Sequence, residues 1–349
     1  MTAPNYLEWL SRESPTIWWH DSGAPKELAQ ALAWGARGAT TNPVLAIAAI
    51  RDNQDLWRDE PAGSGIPASA GARAERLMER VVKNAASLFE PLYRESGRSH
   101  GHGYVCAQVN PSLCADRDAM LEMADRFVSW APNVSVKLPA TSAGLGALEE
   151  LAAKGICVTS TLSFTVAQAV AAAEAYKRGK SRALKAGIAP APCFAVIMLG
   201  RVDDYIREVV SDNRLDIGET EIKNAGLAIV KRAYGEFRKK GFEATLMVAA
   251  LRGVHHMIGL CGAEIVMSIH PSIQKLLLAP GVSRSMGIAE PVPADSIERL
   301  NTIAEFRKAF ELDGLEEREF ITYGLTQKTL SQFSAGGWAL LESFQPRPS

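Results

Sequence analysis

Short runs rich in Val, Ile, Thr and aromatic residues alternate along the chain with longer Ala-, Leu- and Glu/Lys-rich stretches. In the longer stretches apolar positions recur every three to four residues, the period of a helix with one buried face. The short runs are Thr16–His20, Gly38–Asn42, Tyr104–Asn110, Val134–Leu138, Ile156–Leu162, Cys193–Leu199, Thr245–Leu251 and Glu264–Ile269. Most end at Gly, Pro, Asn or Asp, which marks them as strands. The helical stretches are Lys26–Trp34, Ala74–Phe89, Asp116–Trp130, Leu145–Lys154, Val166–Arg178 and Thr220–Lys239. Such alternation implies parallel strands joined by helical crossovers.

Eight strand–helix units predict a (β/α)8 TIM barrel, an architecture of about 250 residues. The expected layout is one domain over residues 1–349, with a barrel core from about 15 to 285. Residues 286–349 would form a C-terminal helical extension, its helices falling at about 294–343. The competing architecture is an open doubly wound sheet, which usually binds a nucleotide through a Gly-rich first turn. Its nearest candidate, Gly144-Leu-Gly146, lacks the third glycine, and no Walker A pattern occurs. Pro61–Gly71 and Ser181–Pro192 read as loops, since strand–helix alternation resumes after each.

Composition narrows the partners. The net charge of −1 over 349 residues supplies no basic face for phosphate backbones, so nucleic-acid binding is not expected. No apolar run approaches the roughly 20 residues of a membrane span, and the N-terminus has no secretion pattern. The five scattered cysteines form no Cys-x-x-Cys and read as reduced thiols in a cytoplasmic protein. Metal-ligand spacings such as His-Glu-x-x-His are absent from the sequence, so neither a metal nor another cofactor is expected. His100 and His102 flank a loop glycine and read as solvated.

Strand parity identifies the candidate chemistry, because alternate side chains share a face. In Val134–Leu138 the apolar set Val134, Val136 and Leu138 belongs against the helices. Ser135 and Lys137 then point into the barrel. Burial disfavours a charged amine, and a neutral amine attacks carbonyl carbon to give a Schiff base. The alternatives are a lysine paired with a buried carboxylate, or one that snorkels to the mouth. The same count turns Thr159 and Thr161, Cys106 and Gln108, and Thr40 and Asn42 inward. Asp21 directly follows the first strand. Barrel sites lie at the C-terminal ends of strands, where Asp21, Asn42, Gln108, Lys137 and Thr161 would converge. Arg201 and Arg252 close later strands; each suits either a phosphate or a surface ion pair. His270 follows the eighth strand in phase with Ser268.

Three motifs in order then resemble the transaldolase family. Gly38–Leu45 (GATTNPVL) is similar to its Thr-Ser/Thr-Asn-Pro stretch. Ser135–Thr141 (SVKLPAT) resembles its lysine strand, and Gly155–Ala169 (GICVTSTLSFTVAQA) its next strand. The resemblance extends from about residue 15 to 285. It implies a (β/α)8 barrel and metal-free class I aldol chemistry. In that chemistry a dihydroxyacetone unit passes from a ketose phosphate to an aldehyde acceptor, as in the pentose phosphate pathway. It further implies that Lys137 is the Schiff-base lysine and that Asp21 shuttles protons at the hydroxyls. Thr40 and Asn42 would bind the dihydroxyacetone moiety, Thr161 would position water, and Arg201 and Arg252 would bind phosphate.

Departures from the family pattern qualify that reading. Gln108 stands where transaldolases carry a Glu that works through water as acid and base. The fructose-6-phosphate aldolase-like branch also has Gln there, with a compensating Tyr at the position of Met198. Thr159 replaces an Asn beside the lysine, Val196 a Ser, and Ala250 a Ser near the second arginine. His270 or His20 is the expected source of the missing proton transfer, since imidazole titrates near neutrality. Three rivals to simple transfer follow. They are an aldolase releasing free dihydroxyacetone, a biosynthetic transferase for an unusual sugar, and a non-catalytic sugar-phosphate-binding protein. Expected partners are small sugar phosphates, with the outer helices offering a face for a homodimer.

Overall fold

A computed structural model describes residues 4–53, 69–96 and 101–345. His100 and most of the Pro61–Gly71 loop lie outside the described residues. Seven parallel strands form one sheet: β1 (Ile17–His20), β2 (Val105–Gln108), β3 (Val134–Pro139), β4 (Val158–Thr161), β5 (Cys193–Ile197), β6 (Thr245–Val248) and β7 (Val266–Ile269). Their order is β1-β7-β6-β5-β4-β3-β2. The strand expected over Gly38–Asn42 is reduced to Ala39, which bridges His20 on one side and Val105 on the other, both in parallel. Backbone bonds on both sides complete the ring: Thr40 N to His20 O (2.8 Å) and Cys106 N to Ala39 O (3.0 Å). The architecture is a TIM-type α/β barrel.

The short second segment has a local cause. A side chain at Gly38 would meet the Trp19 ring and the Tyr104 carbonyl at 2.6 Å, so the backbone runs tight against both. Asn42 then caps the helix Pro43–Asp52, its side chain accepting from Leu45 N at 3.0 Å. Pro43 has no N–H to continue a ladder.

Aromatic rings close the barrel's N-terminal end. Trp19 and Phe194 meet edge to face at 4.7 Å, and Tyr104 joins Phe194 at 6.2 Å. Trp19 Nε1 donates to the Gly101 carbonyl at 2.8 Å. These rings fill the barrel interior below the strands' C-terminal ends.

Motif residues also shape the loops there. Thr141 caps the helix Ser142–Ala153 by accepting from Gly144 N, and donates to Cys114 O at 2.6 Å. Gln168 accepts from Phe164 N (2.9 Å) and donates to Leu162 O (3.0 Å) and Ala140 O (3.2 Å), tying the loops after β3 and β4 together. Gly144 serves packing rather than a nucleotide: a Cβ there would lie 1.9 Å from the Pro139 carbonyl oxygen.

The C-terminal helices lie on the barrel, and their last part reaches its mouth. Helix Gly324–Phe333 runs into a π-helical turn, Ser334–Trp338. At Gly337 that turn packs against Pro43 and Val44, where a Cβ would sit within 2.9 Å of the backbone. Among the described residues no helix is long and apolar enough to cross a membrane.

Candidate active site

A cavity of about 300 Å³ occupies the C-terminal mouth of the barrel. Its polar lining comes from strand ends all round the mouth: Asp21, Thr40, Asn42, Lys137, Thr161, Arg201, Arg252, His270 and Ser272. Apolar residues are interleaved with these, among them Val44, Val196, Met198, Met247, Leu251 and Phe333.

Lys137 enters from β3, where inward alternation puts it in register with Gln108 on β2 and Thr159 on β4. It is 6% exposed. Its hydrogen bond is a long one, 3.4 Å from Nζ to the Thr41 carbonyl oxygen. Among the described residues it has no carboxylate partner, so the reading of a buried ion pair does not hold.

Asp21 follows β1 and accepts from Thr40 Oγ1 at 2.6 Å. Thr40 has a single hydroxyl proton. With that proton on Asp21, Ser268 Oγ, 2.5 Å away, must donate to Thr40. The chain Ser268→Thr40→Asp21 thus directs two hydroxyl dipoles toward one carboxylate. Thr161 lines the cavity with a buried Oγ1 that has no hydrogen-bond partner among the described residues.

Arg201 stands in the first turn of helix Leu199–Asp212. Its Nη1 donates to Gln332 Oε1 at 2.5 Å, and its guanidinium lies over the Phe333 ring, 5.4 Å from the centroid. Nε is buried without a partner. Burial, and next the neighbouring Arg252 cation, push the Arg201 guanidinium below its ordinary range. Arg252 binds Asp204 Oδ2 through Nε (2.9 Å) and Nη2 (2.7 Å), so it makes an ion pair while still lining the cavity. Two cations side by side in a partly desolvated mouth favour an anion between them. Ala250, just before, is left-handed at φ 59°, a conformation costing about 1–2 kcal/mol for a residue with a Cβ.

Three expected site residues lie elsewhere. His20 is 1% exposed and turns away from the cavity toward the helix layer, where its Nδ1 lies 2.8 Å from Gln274 Nε2. The reason is parity: Trp19 and Asp21 point inward, so His20 between them points out. Burial, and then the nearby His270, push it down to about 4. Thr159 is fully buried, and its hydroxyl is engaged by Ser135 Oγ (2.7 Å) and Cys106 Sγ (3.6 Å) rather than by the cavity. Gln108, in register with Lys137, is enclosed and absent from the lining, with its Oε1 buried and unpartnered. His270 does line the cavity. Its Nδ1 lies 2.8 Å from Ser272 Oγ and 3.2 Å from Ser272 N; in the tautomer whose Nδ1 donates to that hydroxyl, Nε2 is free to take a proton.

Phe333 and Gln332 escape sequence reasoning, because the C-terminal helices carry no recognisable motif.

Comparison with known proteins gives a consistent result. The sequence profile described as transaldolase/fructose-6-phosphate aldolase matches residues 18–342. Transaldolase 1 of Streptomyces avermitilis is 31% identical over 244 residues, covering 67% of this chain and 64% of its own. Transaldolase 2 of Nostoc punctiforme is 30% identical over 259 residues, covering 68% and 66%. The transaldolase of Neisseria gonorrhoeae is 33% identical over 218 residues, covering 61% and 59%. Each match spans slightly less than two thirds of the relative's own length.

Proposed function

The chain belongs to the transaldolase/fructose-6-phosphate aldolase family, and from that premise we propose that it transfers a dihydroxyacetone unit from a ketose phosphate to an aldehyde through a Schiff base on Lys137. One observation carries this reading. A buried amine with no carboxylate partner, a carboxylate fed by two hydroxyls, and two arginines all line a single cavity.

The course follows from those groups. Lys137 Nζ attacks the ketose carbonyl, water leaves, and an iminium forms. The iminium draws in the electron pair of the bond between its α and β carbons as Asp21 takes the proton of the hydroxyl on the β carbon, which becomes the aldehyde. The aldehyde fragment departs and an enamine stays on Lys137. Attack of the enamine on a second aldehyde reverses these steps, and water then releases the product. Thr161 is suited to hold that water, because its buried hydroxyl has no other partner. Arg201 and Arg252 hold the phosphate at the mouth. His270 Nε2 supplies the proton transfer that the neutral Gln108 cannot. His270→Ala is expected to lower turnover across pH 5 to 9; unchanged turnover would remove His270 from the mechanism.

The test is acceptor dependence. With fructose 6-phosphate alone the enzyme should release little dihydroxyacetone, and an aldose phosphate should restore turnover. Rapid release without an acceptor would favour the aldolase reading, and Lys137→Met should abolish either reaction. Activity that remains in Lys137→Met would overturn the proposal.

A further inference from the structure

Arg252 is held from behind by groups that never reach the cavity. Its backbone N–H donates to His256 Nδ1 at 3.1 Å. His256 Nε2 lies 2.8 Å from Asp203 Oδ2, and these side chains are 0% and 1% exposed. The other carboxylate oxygen, Oδ1, accepts from Gly226 N at 2.8 Å. The helix Glu219–Lys240 comes this close because residue 226 is glycine; a Cβ there would lie 2.5 Å from the Leu199 carbonyl oxygen.

These bonds fix the ring's chemistry. A nitrogen that accepts an N–H carries no proton, so Nδ1 is bare and Nε2 bears the ring hydrogen, 2.8 Å from the Asp203 carboxylate. The same logic argues against a metal at Asp203, His255 and His256, whose ligand atoms lie within 4.8 Å of one another. Ligation through Nε2 would require the proton on Nδ1, where it would face the Arg252 N–H. The arginine's other end closes the loop: Arg252 Nη1 donates to the carbonyl of left-handed Ala250 at 2.8 Å.

We propose that the buried Asp203–His256 pair is a positioning device for Arg252. Asp203 holds the imidazole in one tautomer, the imidazole anchors the Arg252 backbone, and that anchor aims the guanidinium across the mouth at a bound phosphate. This rests on the phosphate-binding reading of Arg252 given above. Neither residue touches substrate.

Three variants test the device. His256→Leu removes both ring bonds. His256→Asn keeps an acceptor near the Nδ1 position. Asp203→Asn presents an amide N–H to Nε2, which drives the ring proton to Nδ1 and sets two donors face to face, a tautomer error known to disable buried carboxylate–imidazole pairs. The expected result is a rise of about tenfold in KM for fructose 6-phosphate in His256→Leu and Asp203→Asn, the scale of one lost buried hydrogen bond. Borohydride trapping of unphosphorylated dihydroxyacetone on Lys137 should stay as in wild type, and His256→Asn should recover most of the KM.

Unchanged KM in both disruptive variants would overturn the proposal. So would equal loss of the unphosphorylated adduct, which marks a merely structural role. Asp203→Asn keeps the packing if His256→Leu does not fold. Calorimetric titration with inorganic phosphate separates this inference from the sugar reading. If wild type traps no ketose phosphate but binds phosphate, and the variants bind it about tenfold more weakly, the positioning role stands and the sugar reading falls. If wild type binds no phosphate, the positioning role falls.

Discussion

Two threonines on β4, both turned inward, should respond differently to the same substitution. Thr161→Val replaces a hydroxyl on the cavity by a methyl group of nearly equal volume. A water held in the cavity satisfies that hydroxyl, so this variant should stay within about 0.5 kcal/mol of wild type. Thr159→Val removes a hydroxyl bonded to Ser135 at 2.7 Å and deprives Ser135 of that partner, a loss of about 1–2 kcal/mol. Unfolding entropy of about 2.1 cal/mol/K per residue gives roughly 0.7 kcal/mol/K for 349 residues. Thr161→Val should therefore melt within about 1 °C of wild type and Thr159→Val about 2 °C below. Urea titration checks the free energies directly. Activity should run the other way: Thr161→Val slows release of product from Lys137, by about 10²-fold if the hydroxyl orients the water, and Thr159→Val leaves that step close to wild type. A Thr161→Val protein that is both less stable and fully active would refute the reasoning, since it would mean the hydroxyl is bonded within the fold and idle in the chemistry.

Other consequences follow from the same geometry. His20 is held at about 4 by burial, against 6.5 in the unfolded chain. Its neutral form is the one the fold accepts, so its stabilising contribution is complete above pH 6.5 and is lost as pH falls toward 4. Wild type should lose about 2–3 kcal/mol between pH 7 and 4.5 through this group; in urea titrations at the two pH values, His20→Asn should lose less by that amount, and equal losses would remove His20 as the cause. Gln332→Ala takes away an exposed partner of Arg201; stability should stay within about 0.5 kcal/mol, while KM for a phosphorylated donor rises about 2–5-fold. An unchanged KM would show that the C-terminal helix does not orient Arg201. Phe194→Ala, in the aromatic closure, should cost about 3–5 kcal/mol in chemical denaturation without altering the cavity at the other end; a loss under 1 kcal/mol would mean the closure is not part of the core.

The barrel was legible because β-like and helical patches alternate regularly, and parity alone turned Lys137 inward. Parity also bears on His20: a residue next to an inward Asp21 must face out, and sequence adjacency to Asp21 obscured that. Thr159 has the inward parity of Thr161 yet is consumed by Ser135, because which hydroxyls find partners is decided across strands. The second strand shrank to Ala39 because Asn42-Pro43 already belongs to a helix start, a local signal that competes with the β-rich run GATT. Phe333, Gln332 and the Asp203–His256 pair were hidden for a different reason. They reach the mouth, or the back of Arg252, by tertiary packing, and no short-range spacing announces it.

The central claim is that Lys137 forms a covalent adduct with a ketose phosphate. The most direct measurement is borohydride trapping with fructose 6-phosphate, read by intact and peptide mass spectrometry. A three-carbon adduct on the peptide containing Lys137, absent from Lys137→Met, is the predicted result. No adduct with fructose 6-phosphate, with other ketose phosphates or with free dihydroxyacetone would contradict the account.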